Sequence, residues 1–421
     1  GVRPSGPPRR ESLLLARMLK LLRENRILLW LSLITLVNQL GFGLVIPVLP
    51  FFVQTFGGTE AAVGAAVAAY GLARLLFDLP MGHLTERAGR RPVLLIGEAI
   101  TAIGSLACGL ALTYPQLLVF RFIGGIGSAT VLTVGQIIVA DVSKRENRGR
   151  MMSVYMTFFQ FAVGIGPVIG GALNQALGPR SPFLIFAGLA VVALIIALFR
   201  LPETRKLQTL AADTPAEQPS GASVLGQLLR NPGFVLVGLI GFAATIARTG
   251  GIFSVVPATA YRFGGLTPGQ VGLAITVANL LNFGTVSGAG VLADRFGRKA
   301  TIVPGGVLVG LGFVLFSFQT SYPAFMVAAT LWGIGSSLYS SPASAYAADM
   351  APAGAIGTTM GVYRMLSDAG YVIGPLVIGV LADGIGPVGA LLTVAALFAV
   401  IVLPFLLYAP ETRRAAKAAR G

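Results

Sequence analysis

Residues 82–91 read Gly-His-Leu-Thr-Glu-Arg-Ala-Gly-Arg-Arg, and residues 290–299 read Gly-Val-Leu-Ala-Asp-Arg-Phe-Gly-Arg-Lys. Both segments join two long apolar stretches, and they lie 208 positions apart. Further matches keep the same offset: 125–128 with 333–336, Asp141 with Asp349, Tyr155 with Tyr363, Gly166-Pro167 with Gly374-Pro375, and 202–205 with 410–413. So many matches in one register indicate that the chain consists of two parallel repeats.

Composition places both repeats in a membrane. Only 11% of the 421 residues are charged, whereas 55% are hydrophobic. A soluble chain carries about a quarter charged residues, so the composition excludes a soluble enzyme and a disordered protein. A membrane-spanning helix needs roughly 20 mostly apolar residues. Twelve stretches meet that requirement: 27–53, 61–82, 92–112, 115–140, 150–174, 182–200, 232–262, 269–292, 301–320, 323–348, 355–381 and 387–408.

The sequence therefore predicts an all-α integral membrane protein with 12 transmembrane helices in two pseudo-symmetric six-helix halves. Glycine and proline interrupt the first and seventh spans, which predicts helices that bend around a cavity. The predicted divisions are a cytoplasmic N-terminal tail (1–26), an N-terminal half (27–200), a cytoplasmic linker (201–230), a C-terminal half (231–408) and a cytoplasmic C-terminal tail (409–421).

Basic residues are distributed unevenly about these spans. Of the 31 lysines and arginines, 25 fall in the tails and in the loops after the second, fourth, sixth and eighth spans, whereas only Arg180 and Arg262 fall in loops on the other side. The positive-inside rule then predicts that both termini are cytoplasmic. It also accounts for the net charge of +15 without a nucleic-acid partner. The first apolar run is too long for a signal-peptide core, so we expect no cleaved leader.

The residue inventory argues against an enzyme. Cys108 is the only cysteine and His83 the only histidine, which excludes thiolate metal sites and catalytic sets that need two histidines. The sequence contains no Gly-x-x-x-x-Gly-Lys phosphate loop either, so ATP does not drive the protein through such a site. We expect no metal and no cofactor.

Residues 82–91 and 290–299 resemble the loop signature of the major facilitator superfamily, Gly-x-Leu-Ala-Asp-Arg-x-Gly-Arg-Arg/Lys, and the resemblance covers essentially the whole chain. The second copy is complete, while the first has Thr85 and Glu86 in place of alanine and aspartate. The resemblance implies alternating access and a cytoplasmic latch. The latch residues are Gly82, Glu86, Arg87, Gly89, Arg90, Asp141, Arg150, Gly290, Asp294, Arg295, Gly297 and Arg298. Because Thr358 is the repeat partner of Arg150, we expect the N-terminal copy to be the working one.

Within this family the sequence is similar to the twelve-span drug:proton antiporters, which include tetracycline and multidrug exporters. Residues 41–50 resemble their first helix, and Arg121 followed by Gly125 and Gly127 resembles their buried-arginine motif. Residues 166–171 resemble a motif that marks exporters. The helix-packing residues that this motif and its repeat imply are Gly166, Pro167, Gly170, Gly171, Gly374 and Pro375.

This resemblance implies a secondary-active transporter that exports amphipathic drugs or metabolites in exchange for protons. The implied partners are a small amphipathic substrate and the lipid bilayer, with the proton as coupling ion, and we expect a monomer in a bacterial plasma (inner) membrane. The alternative is a proton-coupled or facilitative carrier of an anionic metabolite or lysolipid, which Arg248 in mid-span favours. A non-transporting receptor on a carrier scaffold is a third interpretation.

Ionisable groups inside the spans cost roughly 2.5–3.5 kcal/mol each to insert, so each needs a reason. The proton-coupling candidates are Asp78, Glu98, Arg121 and Asp368, because an arginine that moves beside a buried carboxylate changes its proton affinity. Glu98 has an alternative interpretation as a side chain that snorkels to the cytoplasmic surface. Arg121 requires a carboxylate on another helix, a substrate anion or backbone carbonyls.

Two charged pairs, Arg74 with Asp78 and Arg364 with Asp368, are each spaced four residues apart on one helix face. In the fold that the resemblance implies, the second and eleventh helices run antiparallel and face each other. Arg74 would then approach Asp368, and Asp78 would approach Arg364. The hypothesis is a cross-half ion-pair cluster that forms and breaks during transport. The alternative is that each pair neutralises itself within its own helix.

The remaining candidates are polar or aromatic side chains within the spans. An unpaired arginine in mid-membrane usually lines an aqueous cavity, which predicts that Arg248 does so. The candidate substrate-cavity residues are Asn38, Gln39, Phe42, Gln160, Arg248, Asn279, Asn282 and Tyr339. Hydrogen bonds between helices are the alternative role for the polar ones.

Overall fold

The computed structural model describes residues 21–144, 147–205, 221–262, 264–352 and 355–412. Within these ranges the regular secondary structure is helical. Most of the predicted N-terminal tail (1–20), the middle of the linker (206–220) and most of the C-terminal tail (413–421) lie outside the described residues.

Within the described residues twelve long helices form the bundle, which confirms the predicted fold class. Ten described helical runs are long and apolar enough to cross a membrane. One of them, Ile356–Tyr408, contains two helices because Gly386 interrupts it with φ +82°, and Tyr322–Asp349 completes the set. The helices are α1 Arg26–Val45, α2 Glu60–Ala88, α3 Arg90–Leu110, α4 Tyr114–Val142, α5 Arg148–Leu177, α6 Ser181–Arg200, α7 Pro232–Arg262, α8 Pro268–Phe296, α9 Lys299–Phe318, α10 Tyr322–Asp349, α11 356–385 and α12 387–408.

The two interrupted spans are irregular, as their glycines and prolines predict. The first ends as α1 at Val45 and resumes as a short helix over Leu49–Gln54. The seventh is continuous, but its middle, Ala247–Val255, is a π-helix. Such wide turns are rare and occur frequently at functional sites.

Glycine makes the sharp turns at both copies of the repeated loop motif. Gly89 follows α2 with φ +95°, and Gly297 follows α8 with φ +115°. A residue with a Cβ rarely adopts such values, so each copy of the motif needs glycine at this position. The next helix begins at the following residue in the first copy and one residue later in the second.

Small residues allow close helix packing within each half. On α5, Gly166 lies against Gly43 of α1, and Gly170 lies against the backbone of Leu44. In the second half, Gly374 of α11 lies against Ile246 of α7. The glycines of the 166–171 motif therefore bring helix backbones to distances that no larger side chain would allow.

The two halves meet at one end of the bundle. We call the end with the loops after α2, α4, α6, α8 and α10 the basic end, and the other the opposite end. Near the opposite end, Gly64 of α2 lies against Pro375 of α11, and Gly171 of α5 lies against Pro268 of α8. These contacts join the N-terminal half, α1–α6, to the C-terminal half, α7–α12.

The basic end is open between the halves. At Gly284 and Gly288 of α8, and at Gly357 and Gly361 of α11, no atom beyond the chain neighbours and the helix's own backbone lies within 4 Å of where a Cβ would stand. The side chain of Arg364, also on α11, is 56% exposed. The structure therefore shows a conformation in which the two halves are in contact at the opposite end and separated at the basic end.

Gly166→Ala is expected to destabilise the bundle, because the new Cβ would lie 2.5 Å from the Cα of Gly43, a backbone atom that cannot turn aside. Overpacking of this kind costs about 1–3 kcal/mol, which a lower thermal unfolding midpoint in detergent would report. Gly284→Ala is the matched control, since nothing lies within 4 Å of its Cβ position. Equal midpoints for the two variants would contradict the prediction.

Candidate functional site

A cavity of about 120 Å³ lies between the two halves. Its walls come from α5 of the N-terminal half and from α7, α8 and α10 of the C-terminal half. Five of the eight cavity candidates named from the sequence line it: Gln160, Arg248, Asn279, Asn282 and Tyr339. Its position at the junction of the halves is where transporters of repeated architecture bind substrate.

Arg248 is the one charged residue among those that line this cavity. It lies in the π-helical part of α7, and its guanidinium is 5.6 Å from the ring centroid of Phe253. Among the described residues, no carboxylate lies within ion-pair distance of Arg248. The cavity therefore presents a positive charge without an internal counter-charge.

Sequence reasoning missed four polar or aromatic lining residues: Phe283, Trp332, Ser336 and Ser340. Helical spacing could have predicted three of them, because residues 332, 336 and 340 are spaced by four on α10 and share a face with Tyr339, which the sequence analysis did name. Phe283 likewise follows Asn279 by one turn of α8.

Two cavity candidates, Asn38 and Gln39, do not line this cavity. Asn38 is fully buried, and its amide donates to Glu98 at 2.9 Å. Gln39 is 4% exposed and donates to Asn38 at 3.4 Å. Both therefore have the alternative role, a hydrogen bond inside the bundle. Phe42 lines a separate narrow space of about 10 Å³, which it shares with Arg121 and Tyr371.

Glu98 is fully buried in α3, so it does not snorkel to the surface. Its Oε2 accepts the hydrogen bond from Asn38, and its Oε1 has no hydrogen-bond partner. Among the described residues, no arginine or lysine forms an ion pair with it. An uncompensated carboxylate is costly in such surroundings.

Three kinds of partner were expected for Arg121: a carboxylate, a substrate anion or a backbone carbonyl. The structure shows the backbone carbonyl. Its Nε donates to the carbonyl oxygen of Ala66 at 3.2 Å. Its guanidinium also lies 4.4 Å from the ring centroid of Tyr70, a cation–π contact. Arg121 is thus fixed on α2 rather than beside a carboxylate.

The predicted cross-half ion pairs are not formed in this conformation. Arg364 pairs with Asp368 of its own helix at 3.6 Å. Arg74 lies over the ring of Tyr371 at 5.4 Å, and Asp78 accepts from Thr133 at 3.0 Å.

The register of α2 and α11 nevertheless suits those pairs. Gly71 lies against Tyr371, and the same antiparallel register continued toward the basic end places Arg74 opposite Asp368 and Asp78 opposite Arg364. The helices diverge beyond Tyr371, so the cross-half cluster stays a prediction for a conformation closed at the basic end.

A second set of cross-half contacts seals the opposite end, and the sequence analysis did not find it. The buried carboxylate of Glu60 pairs with Arg262 at 3.2 Å. The carboxylate of Asp383 accepts the backbone N–H groups of Glu60 and Ala61, the first residues of α2, at 2.9 and 3.1 Å. A helix N-terminus favours such an anion. Each contact crosses between the halves, so each must break when this end opens.

The latch residues of the N-terminal copy are only partly assembled. Arg90 pairs with Asp141 at 3.0 Å, and both side chains are buried. Glu86 and Arg150 are exposed and contribute no ion pair among the described residues. The C-terminal copy has the fuller set, because Arg298 pairs with both Asp294 at 2.6 Å and Asp349 at 3.5 Å. The expectation that the N-terminal copy is the working one stays a prediction.

The repeated Pro-Glu-Thr-Arg segments clamp the latch. The carboxylate of Glu203 accepts the backbone N–H groups of Arg90 and Arg91, the first residues of α3, at 2.9 and 3.1 Å. Glu411 binds the N–H groups of Arg298 and Lys299 at the start of α9 with the same two distances.

The threonines of the same segments donate hydrogen bonds to the aspartates that pair with Arg90 and Arg298. Thr204 donates to Asp141 at 3.1 Å, and Thr412 donates to Asp349 at 2.9 Å. The sequence showed these segments as repeat markers but gave no sign of this contact, because each lies more than 100 residues from the helix that it clamps.

The two repeated six-helix halves meet at one end of the bundle, and the cavity between them is open at the other end. These features define a membrane transporter rather than an enzyme. Residues 31–265 and 239–421 match the Major Facilitator Superfamily, and the chain belongs to it.

Similar proteins agree with this assignment. The chain is 25% identical over 392 residues to an uncharacterized MFS-type transporter of Methanocaldococcus jannaschii, over 90% of this chain and 97% of the relative. It is 27% identical over 360 residues to the class B tetracycline resistance protein of Escherichia coli, over 83% of this chain and 86% of that one. Its fold matches a bacterial homologue of the human lysosomal transporter Spinster, in an inward-facing and unoccupied conformation, with a TM-score of 0.76 and 16% identity over 92% and 96% of the chains.

The clamp gives a pH-dependent contribution to stability. Burial raises the pKa of Glu203, but hydrogen bonds from the backbone N–H groups of Arg205, Arg90 and Arg91 outweigh it, so the pKa lies below its ordinary value. A carboxylate with a lowered pKa stabilises the fold above its unfolded-state pKa, and this stabilisation is lost as the pH falls through its folded-state pKa.

Glu203→Gln is therefore expected to lower the thermal unfolding midpoint at neutral pH, and the difference from the unmodified protein should shrink once the pH falls below about 4.3, the ordinary glutamate value. Glu86→Gln, which removes an exposed carboxylate, is the control and should leave the midpoint unchanged. A Glu203→Gln deficit that stays constant with pH would show that the charge of the clamp is irrelevant.

The cross-half pair can be tested by exchanging its charges. In a Cys108→Ser background with a cysteine at Ser340 of the cavity, Arg74→Asp is expected to raise alkylation from the basic end, because two acids would oppose each other when that end closes. Adding Asp368→Arg should restore protection, with a coupling of about 1 kcal/mol. If the double exchange protects no better than Arg74→Asp alone, each pair acts only within its helix.

Proposed function

We propose that this chain exports amphipathic organic anions from the cytoplasm in exchange for protons, by alternating access. The single observation that carries the proposal is the half-buried Arg248, which faces the cavity between the halves without a counter-charge. A buried guanidinium binds carboxylate or phosphate groups through two parallel hydrogen bonds. An anion that enters the cavity would supply the missing charge.

The shape of the site supports an amphipathic substrate. The enclosed volume of about 120 Å³ holds a polar head group rather than a whole drug. Asn279, Asn282 and Ser336 offer hydrogen bonds to such a group, while Phe283 and Trp332 offer apolar surface beside it. The rest of the substrate would extend into the open space between the halves.

The location of the charges supports the direction. The positive-inside rule favours a cytoplasmic location for the basic end, so the cavity opens to the cytoplasm in this conformation, ready to load an exported compound. The likeness of residues 166–171 to the exporter motif and the name of the tetracycline resistance relative favour the same direction. A bacterial plasma membrane with both termini inside is part of this proposal.

Intramembrane carboxylates support the proton coupling. Asp78, Glu98 and Asp368 lie on helices that cross the membrane, where an ionisable group is by default a candidate for function. Each could gain or lose a proton as the halves rearrange, because its surroundings and its distance from arginines would change.

Export of cationic drugs is the second candidate, and the resistance name of the relative is the observation that favours it. A cation-binding cavity requires an acidic or π-rich lining to offset the cation. This cavity offers Tyr339 and Trp332 but places Arg248 beside them, so a cation would meet repulsion there.

Proton flux in proteoliposomes with an imposed pH gradient distinguishes the candidates. Lysophospholipids and long-chain carboxylates are expected to stimulate the flux, and lipophilic cations are not. Arg248→Ala should weaken the apparent affinity about tenfold or more, because hydrogen bonds to charged groups contribute about 1.5–3 kcal/mol.

Arg248→Lys keeps the charge and should retain part of the affinity, whereas Arg180→Ala removes a positive charge outside the cavity and should change nothing. Stimulation by cations alone, unaffected by Arg248→Ala, would replace the anion proposal with the drug-cation one.

A further inference from the structure

We infer that Glu98 carries the coupling proton, in a site inside the N-terminal half that is separate from the Arg248 cavity. The inference rests on the proposed proton-coupled export and assigns one residue to it. The observation behind it is the geometry of a fully buried carboxyl group that has one amide partner, Asn38, and one oxygen with none. An unpaired carboxylate in such surroundings is strongly disfavoured, so Glu98 holds its proton in this conformation.

Among the described residues, no charged group of the surrounding helices forms an ion pair with Glu98. On α2, Arg74 lies over Tyr371 and Asp78 accepts from Thr133. On α4, Arg121 is bound to Ala66 and Asp141 to Arg90.

The described parts of the other helices around Glu98 place no charged group beside it either. The charged residue of α6 is its last, Arg200, which lies 4.8 Å from the ring centroid of Trp30 at the basic end. The facing group of α1 is the neutral Asn38, and that of α5 is Tyr155. Glu98 thus differs from Asp368, which already has Arg364 as its partner.

Two buried hydroxyl groups lie near the site. The hydroxyl of Tyr155 lies beside that of Thr35, one turn before Asn38 on α1, but neither forms a hydrogen bond of good geometry in this conformation. A buried polar group that is not fully hydrogen-bonded calls for an explanation, and a functional role is one. These two hydroxyls are placed to bind the Glu98 carboxylate, or a water beside it, once the helices shift.

A short series of contacts links this site to the cavity. One turn after Asn38 on α1, Phe42 packs edge-to-face on Phe253 of α7, with ring centroids 6.4 Å apart. Phe253 in turn lies beside Arg248. The charge state of Glu98 acts on Asn38, so α1 is the element through which protonation and substrate binding influence each other.

The chemical step is a single proton transfer. The O–H bond of the Glu98 carboxyl group breaks, the electron pair stays on the carboxylate, and the proton passes to water when the site becomes hydrated. The reverse step reloads the site. No other bond changes, and no further reactant is required.

Glu98→Gln tests the assignment, because glutamine keeps the shape and an acceptor for Asn38 but cannot release a proton. In proteoliposomes, accumulation of a lysophospholipid or long-chain carboxylate driven by a pH gradient is expected to be lost. Exchange of labelled for unlabelled substrate at equal pH, which needs no net proton transfer, should persist and shows that the variant is folded.

Further variants test whether the effect is specific to a titratable group at position 98. Glu98→Asp retains a titratable group and should recover part of the driven accumulation with a shifted pH profile. Ser105→Ala, two turns along the same face of α3, should leave both activities unchanged. Asp78→Asn and Asp368→Asn should slow transport while leaving it coupled to the pH gradient.

The outcomes separate the inference from the proposed function. If the unmodified protein moves no anion with protons, the proposed function fails. If the unmodified protein is coupled and Glu98→Gln remains fully coupled, only the Glu98 assignment fails. Loss of coupling in Asp78→Asn or Asp368→Asn, with Glu98→Gln still coupled, would place the proton site at the cross-half cluster instead.

Discussion

The contact between helix backbones at the opposite end is the constraint on which the rest of the structure depends. Gly64 against Pro375 and Gly171 against Pro268 bring the two halves together without intervening side chains. Lipid offers no hydrophobic force to hold helices together, so such contacts rely on close packing. Because they are confined to one end, the halves diverge toward the other, and the space that this creates is the cavity around Arg248.

Charges inside the membrane are divided between two kinds of environment. Arg121 and Arg74 lie against tyrosine rings on the N-terminal half and its partner helix, whereas Arg248 faces open space. Glu98 is buried inside the N-terminal half and pairs with none of the three. This separation keeps the guanidinium of Arg248 and the carboxyl group of Glu98 from neutralising each other.

The sequence predicted the twelve helices and their repeat because those features depend on composition and spacing alone. It also predicted that Arg248 lines a cavity, since an arginine in mid-membrane has few other places to lie. It did not show that Asn38 contacts Glu98, because periodicity gives the faces of α1 but not which neighbour each face meets. It also predicted that Arg74 approaches Asp368, and this stays a prediction, because the register of α2 and α11 suits the pair while the helices diverge there in this conformation. The clamp by Glu203 depends on a contact across more than 100 residues, which no local pattern records.

The clamps formed by Glu203 and Glu411 have a consequence for engineering. Each fastens the end of a half to the start of the third helix of that half, with the adjoining threonine bound to a latch acid. A force applied to the chain beyond the clamp thus acts on these hydrogen bonds before it reaches α6 or α12. A fluorescent domain inserted among residues 206–220, or an affinity tag attached after Thr412, would therefore be joined to the protein next to a clamp. We expect such a fusion to leave the movement of the two halves undisturbed.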